Sequence, residues 1–150
     1  MKSRHRAREI ALQILYQYDL TWHSSQKAAP QGQELTSNLL YHFNHFNVSE
    51  DLRPFAAQLV AGTLREMTHL DALLEKHASN WKVARMSSVD RSLLRMAIFE
   101  LVHVIDTPHS VVIDEAIELG KQFGTSETPG FINGILDSIR IQIPTQGNPA

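Results

Sequence analysis

"VDRSLLRMAIFELVHVI", residues 89–105, decides the fold. Leu93, Leu94, Met96, Ala97, Ile98, Phe99, Leu101 and Val102 cover most of a helical wheel rather than one stripe of it. A helix that is apolar on nearly every side needs neighbours all round, so the segment predicts a central helix of an all-α core. Ser88 is placed to cap its start, and "DTPHS" breaks it at Pro108.

The segments on either side repeat the helical period. Downstream, "VVIDEAIELGKQFG" turns Val112, Ala116, Leu119 and Phe123 inward and Asp114, Glu118 and Lys121 outward, with Gly124 as its stop. After the loop "TSETPG", a last helix buries Ile132, Ile135, Leu136 and Ile139. Upstream, "HLDALLEKHA" presents Leu70, Leu73, Leu74 and His77. A third helix opens at "VSEDLRPF", with Ser49 as cap, and runs through Leu59, Val60, Thr63 and Met67. A second carries Leu35, Leu39, Leu40, Phe43 and Phe46. The first sets Ala7, Ile10, Ala11, Ile14, Leu15 and Tyr18 on one stripe with Ser3 as cap, and ends in a polar loop, "TWHSSQKAAPQGQ", marked by Pro30 and Gly32. No segment shows sustained alternation, so the expectation is an all-α bundle of about seven helices.

At 150 residues and 43% hydrophobic, the chain has the size and composition of one soluble globular domain. It has no cysteine, which excludes disulfides and thiolate metal sites. Its start lacks a small-residue cleavage site and no apolar run approaches the ~20 residues of a membrane helix, so a cytoplasmic address is expected.

The opening "MKSRHRARE" puts Lys2, Arg4, Arg6 and Arg8 beside a single Glu9, in a chain whose formal net charge is −2. Cations in a first helical turn oppose the macrodipole by ~0.3–1 kcal/mol each when exposed. A bound phosphate reverses that sign, because it attracts both the arginines and the free N–H groups of the helix start. The segment therefore reads either as a phosphate-binding end or as a solvated basic terminus. Phe131 lies about a quarter turn off the buried stripe of the last helix; it is either an edge-of-core ring or a stacking platform for an unpaired base, worth ~1–3 kcal/mol. Tyr16 is a further stacking candidate.

Catalytic and metal signatures are weak. His42 and His45 stand at i, i+3 without an evident third ligand, so no metal is expected. Asp114, Glu115 and Glu118 read as a solvated helix face, and no Gly-rich phosphate loop, HExxH or GxSxG is present. Neither enzymatic activity nor a cofactor is expected.

"RARE" leading into "ALQILYQYD", "LVAGT", "NWKVARMSSVDRSLLRMAIFEL", "VVIDEAIELGKQFG" and "GFINGILDSI" together resemble the successive signatures of the NusB family of transcription antitermination factors, over about residues 4–139. The resemblance implies two packed helical subdomains, here about 1–78 and 79–143; the polar tail "PTQGNPA", 144–150, reads from its composition as disordered. It implies binding of boxA-type single-stranded RNA in nascent ribosomal transcripts together with NusE, a small-subunit ribosomal protein, within an antitermination complex with RNA polymerase. The family's RNA-contacting positions match Arg4, Arg6, Arg8 and Phe131 of "FING"; Glu127 matches an acidic position that influences RNA affinity. Asp90 matches one on the NusE-facing side. Gly130 stands where the family often has a basic residue, which predicts one phosphate contact fewer.

Two rival readings remain. The same helical domain resembles the N-terminal module of ribosomal RNA cytosine methyltransferases, although 150 residues leave no room for a catalytic domain. The other rival is a helical protein scaffold without RNA binding. The sequence leaves open whether the chain is a monomer or a homodimer.

Overall fold

The computed structural model describes residues 2–25, 29–78 and 81–143; the side chains of Lys2, Ser3 and residues 23–25 fall outside the described set, as does the tail 144–150. Among the described residues there are seven α-helices and no strand: α1 Lys2–Ser25, α2 Gly32–His45, α3 Arg53–Arg65, α4 Met67–His77, α5 Ser88–His103, α6 His109–Phe123 and α7 Thr128–Ile141. Single 3-10 turns, Glu50–Leu52 and Val83–Arg85, lead into α3 and towards α5.

The contacts divide the chain into two compact units, Met1–Arg65 and Glu66–Ala150. The division falls one helix earlier than about residue 78, because α4 packs on α5 and α7. Arg95 explains part of that choice: its Nε and Nη2 donate to Asp71 Oδ1 and Oδ2 at 2.8 and 2.9 Å, a forked pair from α5 to α4. His77 Nδ1 meets Ser138 Oγ at 2.8 Å, tying α4 to α7.

In the first unit α1 packs along α3, and Ala7, Ile10, Ala11, Ile14 and Leu15 meet a stripe that includes Ala56, Leu59 and Val60. In the second, α5 packs against α4, α6 and α7, and Leu93, Leu94, Ile98, Phe99 and Leu101 are all buried. The wheel-filling pattern of residues 89–105 has this cause.

Local differences from the sequence expectation are physical. Helix α1 continues through the polar residues to Ser25, where a loop was expected from residue 21. Tyr18 and Trp22, one turn apart, stack at 4.9 Å between centroids and extend the helix's ring-on-ring contacts past the apolar stripe. Ser3 lies inside α1 rather than at its cap. The cap of α5 is Ser87, not Ser88: its Oγ accepts from the Asp90 N–H at 3.1 Å. Ser49 makes no side-chain capping bond, and a 3-10 turn separates it from α3. Gly124 does end α6, yet its φ of −98° is not left-handed. A glycine is needed there for space, since a Cβ would stand 2.6 Å from Thr128 Cβ.

Candidate nucleic-acid interface

Each unit carries one candidate surface. On the first, the period of α1 decides which arginines reach solvent. Arg8 lies one turn before Ala11 and Leu12, both buried, so it falls on the packed stripe. At 3% exposure it is buried, so the phosphate contact expected of it from the sequence is not open to solvent. Its guanidinium lies 5.3 Å from the Phe55 ring centroid, and Arg4 lies over the same ring at 4.2 Å. Arg4 also lines an open cleft of about 350 Å³ with Asp51, Phe55 and Gln58. Arg6 is exposed and pairs with Glu9 at 3.1 Å, a surface bridge a polyanion can replace. Tyr16 is exposed on α1. The expected contribution of the Lys2 side chain lies outside the described residues.

On the second unit, Phe131 sits in the first turn of α7, because that helix starts at Thr128 and takes Pro129 into its opening turn. It is half-buried, and its ring meets Trp81 edge-on at 5.6 Å and 72°. The two rings share a cleft of about 330 Å³ with Arg85, Ser87, Asp90, Thr125 and Glu127. Glu127 is exposed at the N-cap of α7. Asp90 is half-buried, and its Oδ1 accepts from Thr128 Oγ1 at 2.9 Å, an internal role the sequence did not announce.

The floor of this cleft is organised by a buried cation. Arg91, 2% exposed, donates through Nη1 to the carbonyls of Met86 at 2.8 Å and Val83 at 3.0 Å. Glu75 Oε1 accepts from the Val83 N–H at 3.2 Å on the other side. The 3-10 turn is thereby held with Arg85 at the cleft. Sequence reasoning missed both Trp81 and Arg85. Their signal was a large aromatic and a cation in the short polar connection "NWKVAR", where no helical stripe accounts for either.

Among the described residues no group of three or more His, Asp or Glu side chains could hold a metal. His42 and His45 instead join a ring cluster with Tyr41 and Phe46, where His42 stacks on Phe46 at 6.4 Å and His45 meets it edge-on at 5.1 Å. Asp114 and Glu118 are exposed on α6, as expected. No helix among the described residues is long and apolar enough to cross a membrane.

Two helical units, a cationic helix start on one and an aromatic cleft on the other, define a small all-helical domain with its surface chemistry at helix starts. The chain belongs to the NusB family, whose model matches residues 5–140. The transcription antitermination protein NusB of Desulforapulum autotrophicum is 43% identical over 141 residues, covering 94% of this chain and 93% of that protein. The corresponding protein of Solibacter usitatus is 37% identical and covers 99% and 96%. Among solved structures, T. maritima NusB superposes with a TM-score of 0.76 at 28% identity, over 93% of this chain and 92% of that one. A chain from the crystal structure of antitermination factors NusB and NusE in complex with dsRNA has a TM-score of 0.76 at 25% identity, covering 94% and 98%.

Proposed function

We propose that the protein is a non-catalytic, cytoplasmic antitermination factor that binds boxA-type single-stranded RNA of nascent ribosomal transcripts together with NusE, as part of a complex with RNA polymerase. The observation that carries this reading is the aromatic cleft at the start of α7, where Phe131 and Trp81 meet beside Arg85. Single-stranded RNA is held by base stacking on aromatic rings combined with cations on its phosphates. Family membership and a relative's structure with NusE and double-stranded RNA support RNA and NusE as partners.

Lys2, Arg4 and Arg6 supply phosphate charge from the first unit, and Arg85 supplies it from the second. Phe131 and Tyr16 meet bases, Glu127 tunes affinity at the α7 start, and Asp90 lies on the NusE-facing side. Four neutralised phosphates give a slope of log affinity against log salt of roughly −3 for a single strand.

The test is titration of a labelled boxA-type RNA and a scrambled control, with and without NusE, at several salt concentrations. Sequence-selective binding that NusE strengthens is the expected result. Equal affinity for both RNAs in the presence of NusE would leave a helical protein scaffold instead.

A further inference from the structure

The cleft has more structure than a single stacking ring requires. Trp81 is 57% exposed, although an indole is among the most costly side chains to leave in water. Its edge-on contact with Phe131 sets the two ring planes nearly at right angles, so a flat ligand that stacks on one ring meets the edge of the other. The cleft is open on one side, and its volume of about 330 Å³ has room for one flat heterocycle and its sugar.

Arg85 supplies the second feature. It is exposed, and among the described residues it forms no ion pair, whereas Arg6, Arg95 and Arg140 each hold a carboxylate. Its backbone is not loose, because Arg91 and Glu75 fix the turn from both sides. An exposed guanidinium carried on a pinned turn beside two rings is within reach of a phosphate at the cleft. The third feature is the remaining wall. Asp90 and Glu127 bring carboxylates to the same cleft, and an ionised carboxylate only accepts hydrogen bonds. Adenine, cytosine and guanine present an exocyclic amino group to such a wall; uracil presents carbonyl oxygens on either side of its one N–H, which a carboxylate repels.

We infer that the Trp81–Phe131 cleft is a single-nucleotide subsite, in which a base bearing an exocyclic amino group stacks on Trp81 while Arg85 holds its phosphate. The inference rests on the RNA-binding reading above and adds to it a second stacking residue, a phosphate contact and a base preference. Arg85 also answers the loss of a basic side chain at Gly130, since both flank Phe131 from different elements.

The experiment uses the full chain with NusE and a boxA-type RNA. Its companions replace each adenine, cytosine or guanine in turn by uracil. One replacement is expected to weaken binding about tenfold, and Trp81→Ala should weaken the parent RNA by a similar factor while erasing the penalty of that replacement. Arg85→Ala should make the salt slope shallower by about 0.7, and Arg85→Lys should restore it, which a purely structural arginine would not do. In a Trp22→Phe background Trp81 is the sole tryptophan, and its emission should be quenched by the parent RNA. The affinity measurements keep Trp22 and stand by themselves if that background folds poorly. RNA binding that leaves Trp81 emission and the base profile of Trp81→Ala unchanged would overturn the subsite and leave the RNA-binding reading intact; absence of selective binding by the unmodified protein with NusE would overturn both.

Discussion

Thr128 Oγ1 donates to Asp90 Oδ1 at 2.9 Å, joining the first turn of α7 to the first turn of α5 across 38 residues of chain. The same oxygen accepts from the Thr125 N–H at 3.0 Å, so one buried hydroxyl closes the loop before α7 and fixes where that helix begins. Phe131 follows three residues later. The placement of the ring that the RNA reading depends on is thus set by a carboxylate on another helix, and that carboxylate is in turn held by the capping bond from its own N–H to Ser87.

Removing the hydroxyl alone tests this joint. Thr128→Val keeps the shape but leaves a carboxylate oxygen and an N–H without their partner, a loss of about 1–3 kcal/mol. Thr128→Ser retains the bond and should lose less. Urea unfolding of the three proteins measures the difference, and a Thr128→Val variant as stable as the parent would show that the joint does not position α7.

Gly124 and Gly134 should respond in opposite directions to alanine. At Gly124 the new methyl would overlap the Thr128 side chain, and overpacking of this kind costs about 1–3 kcal/mol. At Gly134, inside α7, a Cβ meets nothing within 4 Å, and the helix gains about 0.5–1 kcal/mol from the lost chain entropy. Thermal melts of the two variants check the sign of each.

How much of this was legible in the sequence depended on the kind of interaction. The wheel-filling run of α5 and the stripes of α6 and α7 are periodic burial, which sequence records directly, and most residues named from it are buried, while Val102 and Phe123, near the ends of their helices, are only half-buried. Arg8 was misplaced because its charge outweighed its register, although a spacing of three and four from Ala11 and Leu12 puts it on the packed side. Trp81 and Arg85 lie in a connection without a period, so only the fold brings them to Phe131. The Asp90–Thr128 bond has no local signature at all.

Acid should weaken the first unit through His42. Burial, and then the neighbouring charge of His45, lower the His42 imidazole below its ordinary value. The folded state therefore favours the neutral ring, while the unfolded chain takes up a proton near pH ~6.5. The contribution is complete above that pH and is lost as pH falls through the lowered folded value. Stability measured between about pH 7.5 and 5.5 should fall less steeply for His42→Gln than for the parent protein. Parallel curves would remove His42 as the cause.

Gly130 offers a gain of function. Gly130 is exposed and a Cβ there meets nothing within 4 Å, so a side chain can leave the start of α7 towards solvent without a clash at its first atom. Gly130→Lys should tighten boxA-type RNA and steepen the salt slope by about 0.7, while the ~0.3–1 kcal/mol cost of a cation in a first helical turn is offset by about 0.5–1 kcal/mol from replacing a helical glycine. An unchanged slope would place the RNA phosphates away from this turn.

Arg6 and Arg8 separate folding from binding on the same helix. Arg8 is buried against Phe55, and its aliphatic stem and guanidinium are part of the packing between α1 and the start of α3. Arg8→Ala should therefore lower stability by about 1–3 kcal/mol. Arg6 holds only an exposed bridge to Glu9, so Arg6→Ala should change stability by less than about 1 kcal/mol. Its effect belongs to RNA, where the salt slope should become shallower by about 0.7. Measuring unfolding and salt-dependent binding on both variants assigns each arginine; a stability loss at Arg6 with none at Arg8 would reverse the assignment and return the phosphate contact to Arg8.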